Sequence, residues 1–243
     1  MPSAWLTTHH TTAYAAEPIA TRPSTVPDVA HYIAVAVSTT LLPTPLVPEV
    51  SLHCAENAFD VWTFTGGGDD AAPVPFWSFP WAGGQALARY ILDNPEAVAG
   101  RRVLDVAAGS GLVAIAAALA GASHVTANDV DPYAAAAQDL NAKANDVDIT
   151  VITGDLLDAE TDADVVLAGD VCYDRELSDR MLAFLLRARV RGAEVLLGDP
   201  GRAYLPREHL EQVATYDVPT TLALEDQQTK RTTIWRPKLP GLP

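Results

Sequence analysis

Apolar and polar positions along this 243-residue chain alternate between two periods. Runs at 102–106, 124–129, 148–152, 163–170 and 194–198 have the length and aliphatic content of buried strands. Between and after them, residues 112–121, 131–145, 176–187 and 207–213 read as helices. Pro132 sits in the first turn of the second, where a missing N–H costs nothing. Strand followed by helix, repeated in this way, predicts an α/β fold built on a mostly parallel sheet with helices on both faces. Alternation at 230–235 predicts a strand running antiparallel to the others near the C-terminus.

The first part of the chain has a different texture. Residues 1–26 are rich in Thr, Ala, Pro and His without a sustained period and are expected to be loosely held. A helix is predicted at 29–39, started by Asp28, then an extended connector through Pro43, Pro45 and Pro48. Residues 50–52 and 59–64 read as two short strands of a hairpin-like addition, and 66–73 as a Gly-rich loop. The expected division is an N-terminal extension, 1–45, partly disordered or helical, and a main domain, 46–243. Within the latter an aromatic run, Phe76, Trp77, Phe79 and Trp81, stands beside Gly83 and Gly84 just before a helix at 85–93. That position makes the run a candidate pocket wall.

Charge narrows the choice of partner. Lys and Arg number 16 against 31 Asp and Glu, a formal charge of −15, so the average field repels nucleic acid and no such partner is expected. Arg187, Arg189 and Arg191 read as a solvated helix end or loop and not as a phosphate track. Cys54 and Cys172 lack disulfide or ligand spacing, and no carboxylate or thiol accompanies His9 and His10, so no metal is expected. No apolar run is long enough to span a bilayer and no leader-like segment opens the chain; the expectation is a cytoplasmic protein without a membrane partner.

The chemistry gathers where the 102–106 strand runs into Ala107, Ala108, Gly109, Ser110 and Gly111, which open directly into an Ala-rich helix. Glycines at 109 and 111 permit positive φ and leave no Cβ in the way. The N–H groups of the following helix face the gap, which suits a carboxylate, phosphate or ribose. Roughly 20 residues after the turn, Asp129 closes the next strand, where nucleotide-binding sheets place a ribose-gripping carboxylate. Asp105-x-Ala107-x-Gly109-x-Gly111 resembles the acidic-x-Gly-x-Gly-x-Gly turn of class I S-adenosylmethionine (SAM) methyltransferases, with Ala107 replacing the first glycine and expected at negative φ. Position 114 is alanine, so the dinucleotide fingerprint is not met. Acids close four strands, Asp129, Asp155, Asp170 and Asp199, at the carboxyl ends that form the ligand crevice of an open sheet. Asp129 fits a ribose ligand, Asp155 fits either adenine recognition or a helix cap, and Asp170 and Tyr173 stand where the reacting atoms would meet.

Four stretches, 81–90, 127–132, 169–174 and 197–202, resemble the seven-β-strand protein methyltransferases, and most nearly the electron transfer flavoprotein β-subunit lysine methyltransferase family with its bacterial relatives. The likeness runs over residues 45–236, and Asp170-x-x-Tyr173 and Gly198-Asp-Pro-Gly-Arg202 are its most specific marks. It implies a Rossmann-like, seven-stranded, mostly parallel sheet, SAM as methyl donor, and a protein lysine as acceptor, such as one on electron transfer flavoprotein. It also implies Trp81, Gly83, Asp105, Ala107, Gly109, Gly111, Asp129 and Asp155 around the cofactor. Asp170 and Tyr173 become catalytic residues at the acceptor, with Asp199 and Arg202 on the substrate side. Ser110 stands where the family often has Cys, and the first 45 residues have no counterpart. In this reading Asp170 attracts and orients an incoming ammonium, while Tyr173 shapes the pocket. A small-molecule N- or O-methyltransferase, nicotinamide-like or natural-product, would share every cofactor residue, and a non-catalytic SAM-binding protein is a third reading. Adenine methylation of nucleic acid is disfavoured, since the chain reads Asp-Val-Cys-Tyr at 170–173 and not Asn-Pro-Pro-Tyr.

Overall fold

The computed structural model describes residues 28–56, 61, 74–220 and 227–239. Asp28 opens α1 (Val29–Ser38) by accepting the Ala30 N–H. The chain then forms an antiparallel hairpin of β1 (Thr40–Pro43) and β2 (Ser51–Cys54). Pro43 therefore ends a strand where an extended connector was expected, and the expected division after residue 45 falls inside this hairpin. The strand expected at 59–64 lies outside the described residues apart from buried Val61; segments 1–26 and 66–73 lie outside them too.

The main domain follows as α2 (Ala82–Asp93), β3 (Arg102–Val106), α3 (Leu112–Leu119), β4 (His124–Asp129), α4 (Pro132–Ala144), β5 (Thr150–Thr153), β6 (Val165–Gly169), α5 (Arg175–Val190), β7 (Glu194–Asp199), β8 (Leu210–Pro219) and β9 (Thr229–Pro237). Seven strands make one sheet in the order β5-β4-β3-β6-β7-β9-β8. The first five in that order are parallel; β9 runs antiparallel to β7 and β8. Strand order reverses between β3 and β6, and an open sheet binds its ligand at such a switch point.

One expected helix is absent. At 207–213 a single 3₁₀ turn, Arg207–His209, gives way at Leu210 to β8. The register jumps between Gln212 and Ala214, a bulge that breaks the period-two pattern and hid the strand; pairing with β9 outweighs local propensity.

Period two explains the layers. Val103, Val165, Leu167 and Leu196 face α2 and α3, while Leu104, Val106, Val166, Ala168, Val195 and Leu197 face α5 through Met181, Phe184 and Leu185. Helix α3 is buried on all sides, from Leu112 to Ala117, because the sheet, α2 and the hairpin segment with Val47, Val50 and Leu52 enclose it. Asp131 and Asp174 cap α4 and α5 by accepting the N–H groups of Tyr133 and Leu177 at 2.8 and 2.9 Å, each contributing about 1 kcal/mol. Tyr32 of α1 donates to Asp139 of α4 at 2.7 Å, and Val35 packs with Trp77 and Ala137. The three arginines at the end of α5 engage the chain itself: Arg187 the Leu157 carbonyl, Arg189 Glu194, and Arg191 Glu160.

Candidate active site

A cavity of about 620 Å³ opens at the carboxyl ends of β3 to β6, within the size range of small-ligand clefts. One wall is the turn after β3. Its backbone is left-handed at Ala107, Gly109 and Gly111, with φ of +53°, +51° and +80°. Ala107 was expected at negative φ; the structure overturns that. The Ala108 N–H donates to the Asn128 carbonyl at 2.9 Å, tying the turn to the end of β4. Holding alanine in this conformation costs about 1–2 kcal/mol. Gly109 and Ala107 line the cavity. Gly111 stands behind it, where a Cβ would lie 3.2 Å from Gln138 Cγ of α4.

The acids at the strand ends differ sharply in environment. Asp129 accepts the Gly109 N–H on Oδ2 at 2.9 Å and the Asp131 N–H on Oδ1 at 3.1 Å, and the Val130 N–H acts on the same carboxylate. Burial pushes its pKa up against the pull of those N–H groups. Asp105 lies deeper and accepts the Ala114 N–H of α3 at 3.0 Å. Burial raises it to about 8; the Ala114 N–H opposes that rise and the charge of Asp129 adds to it. Asp155 caps the turn after β5 through the Leu157 N–H at 2.9 Å and pairs with Arg180 at 2.9 Å. The Leu157 N–H, with Arg180 adding, holds its pKa low. It is thus a capping residue that also stands on the cavity rim.

At the other end Asp170, 8% exposed and at φ +57°, forms a buried node. Its Oδ1 accepts from Arg202 Nε at 3.2 Å and Nη2 at 2.8 Å, and its Oδ2 accepts the Gly84 N–H at 3.0 Å. Burial lifts its pKa to about 6; Arg202 restrains the rise and Asp199 adds to it. The carboxylate expected to capture an ammonium is therefore already paired within the chain. Arg202 also lies over the Trp81 ring, 5.6 Å from its centroid. Tyr173, half-exposed, rests on Phe76 at a ring separation of 5.2 Å, and Phe76 stands 6.0 Å from Trp81.

Besides Gly111, two expected contacts lie outside the cavity wall. Gly83 is fully buried, and a Cβ there would stand 2.2 Å from the Gly198 carbonyl and 2.6 Å from Asp170 Oδ2; Gly84 is the glycine that lines the site. Asp199 is 1% exposed and accepts the N–H groups of Gly201 and Arg202 at 2.6 and 2.7 Å. It shapes the turn that carries Arg202 and offers the substrate no surface. Conversely, Val130, Leu156, Leu157 and Arg180 line the cavity without having been singled out in the sequence. Val130 had a usable signal, an apolar residue directly after a strand-end acid, whereas Arg180 reaches the site only because α5 packs on the face of β3, β6 and β7.

An open sheet whose switch point faces a glycine turn and a strand-end acid, without the third glycine of dinucleotide sites, is the architecture of the class I SAM-dependent methyltransferases. This chain is one of them. Electron transfer flavoprotein beta subunit lysine methyltransferase of Danio rerio is 40% identical to it over 206 residues, 79% of this chain and 76% of that protein. The Xenopus laevis protein of the same name is 38% identical over 200 residues, 79% of this chain and 80% of that protein. The chain belongs to the electron transfer flavoprotein beta subunit lysine methyltransferase family. The family model described as Ribosomal protein L11 methyltransferase (PrmA) matches residues 86–171, from within α2 to just past β6. Among solved structures, a candidate RNA methyltransferase from Pyrococcus horikoshii superposes with a TM-score of 0.51 at 16% identity, over 72% of this chain and 91% of that one. That likeness is one of fold.

Proposed function

We propose that this enzyme transfers the methyl group of SAM to a lysine side chain of a protein, with electron transfer flavoprotein β-subunit as the acceptor. The observation that carries the protein reading is the mouth of the cavity. Val74, Phe76 and Tyr173 are large apolar or aromatic residues on its rim, and all three are exposed. A rim of that kind suits the surface of a macromolecule. The relatives' names supply the acceptor.

The residues present fit the cofactor. Asp129, a carboxylate on the cavity wall, would accept from the ribose hydroxyls, and Gly109 leaves the approach open. Val130, Leu156 and Leu157 offer faces for an adenine ring beside Asp155. Gly84, Trp81 and the buried Asp105 stand toward the methionine end, with Ala107 between. The cofactor supplies an electrophilic methyl group on a sulfonium. Phe76, Trp81 and Tyr173 exclude water and align the acceptor chain for in-line attack. Asp170, ionised at pH 7, accepts one N–H of the acceptor nitrogen on Oδ2 and so orients it. Because Arg202 already compensates its charge, Asp170 holds a neutral amine and does not trap an ammonium; the lysine, with a free pKa of about 10.4, loses its proton to water on the way in. Cytoplasmic residence belongs to the same reading. It is supported by two free cysteines, and no helix among the described residues is long and apolar enough to cross a membrane.

The test is incubation with methyl-labelled SAM and either purified electron transfer flavoprotein or the small-molecule fraction of a cell lysate. Label on a lysine of the flavoprotein β-subunit, read by mass spectrometry, is the expected result; label confined to small molecules would overturn the acceptor. Asp170→Ala should lower turnover by about 10²- to 10³-fold while SAM affinity, measured by calorimetry, stays within about threefold. Equal losses in both would remove Asp170 from the acceptor end.

A further inference from the structure

We propose that Arg202 is a positioning residue that acts on methyl transfer through Asp170, keeping that carboxylate ionised and aimed, and does not contact the acceptor. The inference rests on the reading above, in which Asp170 faces the acceptor nitrogen.

The geometry engages Arg202 through both its guanidinium and its backbone. Two of its nitrogens converge on Asp170 Oδ1 at 3.2 and 2.8 Å, and the Trp81 ring covers it at 5.6 Å. Its own backbone N–H is held by Asp199 Oδ1 at 2.7 Å. The pair is secluded, with side chains 20% and 10% exposed. Two donors of one planar guanidinium on a single carboxylate oxygen hold its direction as well as compensate its charge. From α2 the same carboxylate receives the Gly84 N–H, at the helix end where the backbone dipole favours an anion.

The groups around Asp170 make Arg202 the cation that matters. From the end of β7 come Arg202, which favours the charged form, and Asp199, which opposes it. Its own loop brings the Cys172 thiol, pushed to about 12 chiefly by burial and then by Asp199, and therefore neutral. The Tyr173 hydroxyl is likewise raised by burial. With Arg202 removed, a buried carboxylate facing another acid takes up a proton near neutrality. A protonated carboxyl then donates to the amine and engages the lone pair needed for attack, so the same side chain that orients the nucleophile would block it.

The decisive measurement is the pH profile of kcat/KM for wild type, Arg202→Ala and Arg202→Lys with the flavoprotein acceptor. In Arg202→Ala the acidic limb should move up by about 1–3 pH units, with activity recovering as pH is raised, and Arg202→Lys should return most of that shift. A limb that stays in place with an acceptor KM raised at every pH would mean that Arg202 touches the acceptor, and would overturn the proposal. A second readout needs no acceptor: the Tm of Arg202→Ala against that of Arg202→Ala/Asp170→Asn as pH rises. A buried acid with a raised folded pKa stabilises the fold while protonated and loses that contribution as pH rises, so the single variant should fall progressively below the double one. Parallel curves would also overturn the proposal. If wild type labels small molecules only, the lysine reading fails while the Tm comparison still decides the role of Arg202. Arg202→Gln replaces Arg202→Ala in both experiments should the alanine variant not fold.

Discussion

Two residues at the site carry backbone strain that a glycine would not, Ala107 at φ +53° and Asp170 at φ +57°. At Asp170 the twisted backbone accompanies a carboxylate held by both Gly84 and Arg202. Ala107 has no such partner, and its side chain adds a methyl group to the cavity wall. Replacing it with glycine removes about 1–2 kcal/mol of left-handed strain and restores about 0.4–1 kcal/mol of unfolded-state freedom. Ala107→Gly should therefore stabilise the protein by about 0.5–1 kcal/mol, read as a raised midpoint in urea unfolding; a lowered midpoint would show that the methyl packs better than its backbone costs. The strain was not legible in the sequence, because alanine gives no sign of the conformation that the Asn128 carbonyl imposes on its neighbour.

Among the elements, α2 does most to build the Asp170 end of the cavity, and it does so through glycines. Gly83 lies against Gly198, and a Cβ on Gly169 would stand 3.0 Å from Gly84 Cα. The helix start thus rests directly on the ends of β6 and β7. This brings the Gly84 N–H to Asp170 and sets Trp81, the residue before the helix, over Arg202. Gly83→Ala should destabilise the fold by about 1–3 kcal/mol through overpacking. It should also lower kcat more than SAM affinity, because the displaced helix start no longer holds Asp170. Chemical unfolding and calorimetry measure the two effects, and loss of SAM affinity alone would return Gly83 to the cofactor role that the family resemblance implied. The aromatic-glycine run was visible in the sequence as a feature near the pocket, but a pattern of letters does not say which glycine faces the cavity and which faces a strand.

Across the whole molecule the buried acids set how stability depends on pH. Folding raises Asp105 from 3.8 to about 8 and Asp170 from 3.8 to about 6, in both cases chiefly by burial. A group whose folded pKa lies above its unfolded one stabilises the fold below the unfolded value, and that contribution is lost as pH climbs through the folded value. These two acids should therefore make the enzyme less stable as pH rises from about 4 to 8. Asp105→Asn keeps an acceptor for the Ala114 N–H and abolishes the ionisation. Its Tm should gain on wild type between about pH 5 and pH 8.5; an unchanging difference would mean that Asp105 is not the group being titrated. A formal charge of −15 adds self-repulsion in the same direction.

Periodicity alone was enough for the five parallel strands, the helices between 112 and 187, and the acids at the carboxyl ends, because hydrophobic spacing is local and strand ends in an open sheet face one crevice. The glycine turn with Asp129 was likewise readable, since a tight strand-to-helix corner demands particular residues at fixed offsets. Contacts between segments distant in the chain were not readable. Asp170 and Arg202 meet because β6 and β7 are neighbours, Arg180 reaches Asp155 because α5 crosses the sheet, and β8 exists because β9 offers it an edge despite its bulge. The letters could name the acids at the strand ends; burial and the partners that the tertiary structure packs around each one decided which of them carry charge and which way they point.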